Sequence, residues 1–168
     1  MQINRHWLGI ILLVLLSNGC NTSPEKPEDT AVGASVPEQQ GARAVSINIS
    51  VSTQVNPDIN ARPSPIVVRV YQLKSLGSYK ESDFYGLFED YETILGEDLI
   101  GSEQLHLNPG DTHTLKSNVA PEAQYIAVIA AFRDINQAMW RDSILVPVEK
   151  TAKLLIYVDK LSVSVWKK

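Results

Sequence analysis

Apolar and polar residues alternate along residues 45–52, and this period-two pattern restricts the fold more than any other feature of the sequence. Val45, Ile47, Ile49 and Val51 alternate with serine and asparagine. Because successive side chains of a β-strand point to opposite faces, such a segment places one face in a core and the other in water. The pattern therefore predicts a first strand over residues 45–52.

Seven further runs have the same character, being rich in β-branched and apolar residues. They cover residues 66–73, 100–107, 112–118, 125–133, 140–148, 152–158 and 161–166. Turn residues separate them, notably Asn108-Pro109-Gly110-Asp111 and Asp159-Lys160. Regular short strands with few helices predict a mainly β fold, an antiparallel β-sandwich.

One segment changes to helical spacing. In residues 83–95 the apolar positions recur three and four residues apart, which predicts a helix with Ser82 as N-cap and Gly96 as its stop. The stripe contains three aromatic residues. A ligand-binding box is one interpretation, but packing against a sheet accounts for the stripe better.

The N-terminus predicts export. Arg5 and His6 precede an apolar run over residues 7–16, about half the length that a membrane-spanning helix needs. Ser17-Asn18-Gly19-Cys20 follows and resembles a lipobox, so we expect cleavage before Cys20 and a covalent lipid on its sulfur. A buried N-terminal helix and a free thiol at Cys20 are the alternatives. With one cysteine, no internal disulfide can form.

Three segments follow from these features: a signal peptide over residues 1–19, a lipidated cysteine with a tether over 20–43, and one domain over 44–168. The tether holds no aromatic residue and is rich in Pro, Glu and Ser, so it cannot bury enough apolar area to fold. Its expected span is about 25 to 30 Å. The formal net charge is −4 and the cations are scattered, so we expect no nucleic-acid binding.

Residues that could support chemistry are few. If the Asn108–Asp111 turn closed a hairpin, His106 and His113 would be cross-strand neighbours that could share a metal with Asp111. Exposed hairpin histidines are the simpler interpretation, and we expect no metal site. No spacing suggests a nucleophile with its base, so we expect no catalytic residue and no enzyme.

Two charged groups have simple interpretations. The carboxylates at residues 89–92 and 97–98 are those of a solvated face. Arg133-Asp134 and Arg141-Asp142 flank a short connection, where ion pairs or turn contacts are expected and an edge that recognises a partner is the alternative.

The order of several motifs resembles one family. The matching pieces are Asn56-Pro57-Asp58, Arg62-Pro63-Ser64-Pro65 and VVRVYQL (67–73), DFYGLF (83–88), the turn at 107–110, AAFRD (130–134) and Trp140-Arg141. Together with the lipobox they make the sequence similar to the outer-membrane lipoprotein of the type VI secretion system, the TssJ family. Ser17 stands where a leucine is usual, and Ala61 where a glycine is expected.

The resemblance implies a transthyretin-like β-sandwich with a short helical insertion, held to the outer membrane and facing the periplasm. It also implies that the domain docks the periplasmic C-terminal domain of the inner-membrane TssM component, in a trans-envelope complex that secretes effectors. We expect a monomer by itself and several copies in the complex, with outer-membrane lipid as the other partner and no cofactor beyond the lipid on Cys20.

The family contacts its partner through the loop between the first two strands, which corresponds to residues 53–65 here. Rigidity imposed by three prolines reduces the entropy lost on binding. Val55 and Ile59 are expected as apolar contacts and Asp58 and Arg62 as polar ones, although Arg62 could instead tie the loop to the domain's own edge. The predicted partner-binding residues are Val55, Asn56, Pro57, Asp58, Ile59, Asn60, Ala61, Arg62 and Pro63, with Pro65 helping to fix the loop's shape.

Two other functions stay open on the sequence. A lipoprotein that binds a small envelope ligand would need a concave apolar pocket in the sandwich. A periplasmic hydrolase would need a nucleophile and base that the spacing does not suggest.

Overall fold

The computed structural model describes residues 43–168, which form two four-stranded sheets and a helical insertion. The strands are β1 (Arg43–Val51), β2 (Ile66–Leu73), β3 (Leu99–Leu107), β4 (Thr112–Val119), β5 (Tyr125–Ala130), β6 (Arg141–Leu145), β7 (Thr151–Val158) and β8 (Val163–Lys167). The insertion between β2 and β3 holds α1 (Gly77–Glu81), α2 (Phe84–Glu89), α3 (Tyr91–Leu95) and a 3₁₀ turn (Gly96–Asp98).

The two sheets have the orders β4-β1-β7-β8 and β3-β2-β5-β6, here called sheet A and sheet B. Every neighbouring pair is antiparallel except β1 and β7, which run parallel with Ile47 beside Leu154. The expected mainly β sandwich with a helical insertion is confirmed. The parallel pair is a feature that the sequence pattern did not indicate.

The main core lies between the sheets. The alternating residues of β1 are buried as predicted, and the same pattern in β7 buries Leu154, Ile156 and Val158. Each fully buried aliphatic side chain of this kind contributes about 1.5 to 3 kcal/mol relative to its exposed state. The core therefore fixes the register of sheet A, because a shift of one residue would move every one of these side chains from the core to the solvent-exposed face.

Strand β2 is buried on both faces, which accounts for its continuous apolar sequence. Val68 and Val70 face the core between the sheets, while Tyr71 and Leu73 belong to a second cluster under the helical insertion. Arg69 also lies on the outer side, and its guanidinium stacks over the ring of Tyr91 at 4.4 Å.

Arg69 fastens the insertion to sheet B. Its Nη1 donates to the carbonyl of Phe88 at 2.7 Å, and its Nη2 donates to the side chain of Gln104. The Tyr71 hydroxyl donates to the carbonyl of Leu87 at 2.6 Å, and burial raises the pKa of this phenol to about 12. Within residues 43–168, every buried side-chain nitrogen and oxygen has a hydrogen-bond partner, as a stable core requires.

The single helix predicted over residues 83–95 was wrong in its continuity. Asp83, not Ser82, caps α2 by accepting from the Gly86 N–H at 2.8 Å. At Asp90 the backbone leaves helical geometry, with φ −130° and ψ 36°, so the chain bends and continues as α3. Gly96 ends α3 with φ +46°, and is the stop that the sequence predicted.

Two predicted strands were too long. The predicted 125–133 strand ends at Ala130, and the predicted 140–148 strand covers Arg141–Leu145. Pro147 has no N–H to donate to a ladder, so the chain turns there.

The predicted segments 1–19 and 21–42 and the lipidation site Cys20 lie outside the described residues. Arg43, predicted as the last tether residue, is the first residue of β1. No helix in residues 43–168 is both long and apolar enough to cross a membrane.

Candidate functional site

The loop predicted to bind a partner joins β1 of sheet A to β2 of sheet B at one end of the sandwich. Its base is bonded once to the β7–β8 turn and once across the loop itself. The Asn56 N–H donates to the carbonyl of Lys160 in the β7–β8 turn at 3.0 Å, and the Ser64 N–H donates to the carbonyl of Val55 at 3.1 Å. The loop is therefore held in one conformation from its base.

Two of the predicted contact residues are internal. Val55 is completely buried in the main core, so the prediction that its side chain contacts a partner was wrong. Asn56 is also buried, since its Nδ2 donates to the carbonyl of Pro65 at 2.8 Å and its Oδ1 accepts from the Arg133 N–H at 2.8 Å. Both residues hold the loop in place rather than present a surface.

The tip of the loop is organised around the Asp58 carboxylate. Oδ1 accepts from the N–H groups of Asn60 and Arg62, both at 2.9 Å, and Oδ2 accepts from Arg62 Nε at 2.8 Å. These bonds from Arg62 hold the pKa of Asp58 at about 2, and the carboxylate raises the pKa of Arg62 in return. The bond from the Asp58 N–H to the carbonyl of Arg62, at 2.9 Å, closes the tip.

Arg62 has the intramolecular role that the sequence left open, but its partner is Asp58 within the same loop rather than the domain's edge. The Arg62 side chain is 74% exposed, against 18% for Asp58. The outer side of the guanidinium is therefore accessible while its inner side fixes the turn.

Ile59 is fully exposed at the tip, with Asn60, Ala61 and Pro63 exposed beside it. An apolar side chain held in water by a rigid loop is available for burial against another molecule. Ala61 has φ +60°, in the left-handed region where a glycine is unstrained. This conformation accounts for the glycine that the family resemblance leads one to expect at this position.

A groove of about 540 Å³ runs beside the tip, lined by Pro57, Asp58, Ile59, Arg133 and Asp134. Arg133 and Asp134 were noted in the sequence as an alternative recognition edge, but nothing local placed them next to the loop. The bond between Asn56 and the Arg133 N–H brings them there. The candidate surface therefore combines the loop tip with two charged residues far away in sequence.

The hairpin that would have made the two histidines cross-strand neighbours does not form. The turn at Asn108–Asp111 does form, with the Asp111 N–H donating to the carbonyl of Asn108 at 3.1 Å. It crosses between the sheets, however, so His106 pairs with Val67 in sheet B and His113 with Ile49 in sheet A. No group of three His, Cys, Asp or Glu side chains within residues 43–168 is arranged to hold a metal.

Arg141 and Asp142 make structural contacts. Arg141 donates to the carbonyls of Tyr79, Ser82 and Lys80 at 2.8 to 2.9 Å, and so caps the end of α1. Asp142 accepts from the Val165 N–H at 2.8 Å, which joins β6 to β8 across the edges of the two sheets.

The space between the sheets offers little room for a ligand. A cavity lined by Ile47, Val70 and Leu115, among others, has a volume of about 130 Å³. Pockets for small molecules usually measure about 300 to 1,000 Å³. The described part of the sandwich therefore does not favour the small-ligand alternative.

Comparison with known proteins identifies the family. The T6SS-SciN family model, described as type VI secretion lipoprotein (VasD, EvfM, TssJ), matches residues 43–161. The crystal structure of the T6SS lipoprotein TssJ1 from Pseudomonas aeruginosa is 24% identical with a TM-score of 0.72, covering 76% of this chain and 97% of that one. No curated protein sequence matches the chain.

Two other solved structures are similar. Lip from Serratia marcescens, a membrane bound component of the type VI secretion system, is 29% identical with a TM-score of 0.70, covering 76% of this chain and 98% of that one. A structure of the T6SS protein TssM C-terminal domain from EAEC gives 23% identity and a TM-score of 0.62, with 75% and 99% coverage. Because the family model spans well over half of the sequence, the chain belongs to the type VI secretion lipoprotein family that includes TssJ.

Proposed function

We propose that this lipoprotein is anchored in the outer membrane by acyl chains on Cys20 and docks the periplasmic C-terminal domain of TssM through the tip of its 53–65 loop. The docking would link the outer membrane to the inner-membrane component, in several copies per trans-envelope complex. The role is mechanical, with no chemical step. The membrane attachment and the choice of TssM rest on the lipobox and on the family.

The observation that supports the docking site best is a preformed loop with an exposed apolar tip. Asp58 and Arg62 order the backbone before any partner arrives, so little further conformational entropy is lost on binding. Ile59 is then free to enter a pocket of the partner. Burial of such a side chain contributes about 1.5 to 3 kcal/mol, which is the scale of a binding hot spot.

The position of the loop suits a load-bearing link. Strand β1 enters the sandwich at Arg43 and delivers the chain to the loop at its other end, about 30 Å away. It is hydrogen-bonded to β4 on one side and β7 on the other over nearly all its length. Because ladder bonds run across the strands, tension between tether and loop would load many of them at once.

Binding of the purified TssM periplasmic domain to the Ile59→Ala variant tests the docking site. Ile59 has no packing to lose, so the fold should be unaffected. The substitution removes three carbons at about 0.8 kcal/mol each, so affinity should fall by roughly 10- to 50-fold. Val148→Ala, which changes another largely exposed apolar residue at the other end of the sandwich, should bind as wild type.

Two results would contradict the proposal. If both Ile59→Ala and a chain lacking residues 57–62 bound TssM with wild-type affinity, the loop would not be part of the interface. If a Cys20→Ser chain still fractionated with outer membranes, the proposed lipid anchor would be contradicted.

A further inference from the structure

The end of the sandwich opposite the 53–65 loop is the end at which the tether arrives. The Ala44 N–H donates to the carbonyl of Lys150 at 2.9 Å, so β1 begins beside the β6–β7 loop. Strand β8 finishes at the same end, because Lys167 pairs with Leu154 near the start of β7. The last residues of β6 and β8, the β6–β7 loop and the first residue of β1 therefore share one end of the domain.

Three large apolar side chains are exposed at this end. Val148, in the middle of the β6–β7 loop, is 88% exposed, Leu145 at the end of β6 is 62% exposed, and Trp166 is 42% exposed. Trp166 lies on the outer face of sheet A, since its neighbour Val165 points into the core. Indole rings favour the boundary between water and hydrocarbon, because one edge is polar and the body is apolar.

Lysines lie at the same end of the domain. Lys150, Lys153 and Lys167 are all exposed here, and the carboxylate closest to them in sequence, Glu149, is already paired with Lys167. Glu97 and Asp98, which precede β3, and Glu122, in the connection to β5, also lie at this end of the domain, because Leu99, Leu73, Tyr125 and Leu145 are aligned across sheet B. These carboxylates lie towards β3 and β5, whereas the three lysines lie beside β7 and β8. A chain of net charge −4 thus keeps a locally basic corner beside an exposed apolar tip.

We propose that Val148, Leu145, Trp166 and the three lysines form a membrane-contact patch that rests on anionic phospholipid headgroups. The inference depends on the proposed lipid anchor. The apolar side chains would enter the headgroup boundary, and Lys150 and Lys153 would pair with phosphate while Lys167 stays paired with Glu149. The commitment to lipid rests on this charge pattern and on the fact that the chain leading to Cys20 joins the domain at this patch.

Tethering makes a weak contact sufficient. Residues 21–42 separate Cys20 from β1, and the tether predicted from the sequence would span about 25 Å. A lipid anchor at that distance holds the patch at an effective concentration of the order of millimolar near the surface. The contact then orients the domain, so that the 53–65 loop at the far end of β1 points away from the outer membrane towards the periplasm.

The test uses the acylated chain on vesicles of phosphatidylethanolamine and phosphatidylglycerol. Lipid occupies Cys20, the one cysteine of the sequence, so a new cysteine at Val148 or at Ile59 can be labelled alone with a nitroxide. The two positions are matched, because both are exposed apolar residues in loops. The label at 148 should lose its accessibility to a water-soluble nickel complex several-fold on vesicles, whereas the label at 59 should not change.

Charge is tested in the same system. Replacing phosphatidylglycerol with phosphatidylcholine, or changing Lys150 and Lys153 together to glutamate, should restore the accessibility of the label at 148. Native Trp166 gives an independent reading without a cysteine, since brominated lipids should quench the wild-type chain several-fold more strongly than Trp166→Phe.

The failures can be told apart. A chain that does not sediment with the vesicles contradicts the lipid anchor. A chain that sediments with both labels equally accessible, or with the label at 148 equally protected on neutral vesicles, overturns the patch and leaves the anchor standing. Protection at 148 before vesicles are added would show that protein covers the patch, and would also overturn the inference.

Discussion

Replacing Ala61 with glycine should stabilise the protein, which is the reverse of the usual effect of an alanine-to-glycine change. Ala61 has φ +60°, and the left-handed conformation costs a residue with a Cβ about 1 to 2 kcal/mol. Glycine removes that cost, but it also raises the conformational entropy of the unfolded chain, which lowers the stability of the fold by about 0.4 to 1 kcal/mol. Since Ala61 is exposed, no packing is lost, and the midpoints of the two ranges leave a net gain of about 0.8 kcal/mol.

The gain converts to a measurable shift in melting temperature. The unfolding entropy is about 2.1 cal/mol/K per residue, or roughly 0.26 kcal/mol/K for the 126 described residues 43–168. A gain of about 0.8 kcal/mol therefore raises Tm by about 3 °C. Differential scanning calorimetry at neutral pH can resolve this change, and urea unfolding should show a higher midpoint with an unchanged slope.

Ala44 provides the matched control. It is exposed in β1, and its φ is negative, because Asn56 and Ala61 are the two non-glycine residues with positive φ within residues 43–168. Ala44→Gly should lower stability by about 0.5 to 1 kcal/mol. If both glycine variants lowered Tm, or if Ala61→Val were as stable as wild type, the argument from backbone strain would be refuted.

Three further predictions concern single side chains. The pKa of Asp58 is lowered to about 2, so the loop tip should stay ordered at pH 4 and lose its order as the pH falls towards 2. The NMR chemical shift of the Arg62 amide reports this change, and loss of order above pH 4 would contradict the prediction. Arg69→Met should lower the free energy of unfolding in urea by about 2 to 4 kcal/mol, because it removes charge-assisted bonds to Phe88 and Gln104 and the stacking on Tyr91. Arg69→Lys should lower it less, and equal losses in the two variants would reject the role of the planar guanidinium. Arg141→Ala should free the carbonyls at the end of α1 and speed the hydrogen exchange of its amides, and unchanged protection would show that the cap does not stabilise the helix.

Local pattern was a sound guide to the strands and to the loop. Alternation fixed the buried face of β1, because a strand's geometry has a period of two whatever it pairs with. The three prolines marked residues 53–65 as a rigid connection, and the bonds of Asp58 order the tip of that connection in the structure. The helical stripe was also real, although Asp90 divides it.

The distribution of strands between the sheets depended on long-range pairing. A turn such as Asn108–Asp111 has the same sequence signals whether it closes a hairpin or crosses between two sheets, so the spacing of His106 and His113 could not show that they separate. The parallel pairing of β1 with β7 joins strands that are about 100 residues apart in the sequence, and no local pattern encodes it.

The sequence by itself determined which segments form strands and where the chain must turn, because these depend on residue type and spacing along a short stretch. Only the tertiary structure decided that Val55 is buried while Ile59 is exposed, that Arg133 lies beside the loop, and that Arg43 and the loop lie at opposite ends of β1. These follow from which surfaces meet when two sheets pack, and that is settled by the sum of contacts across the whole domain rather than by any one segment.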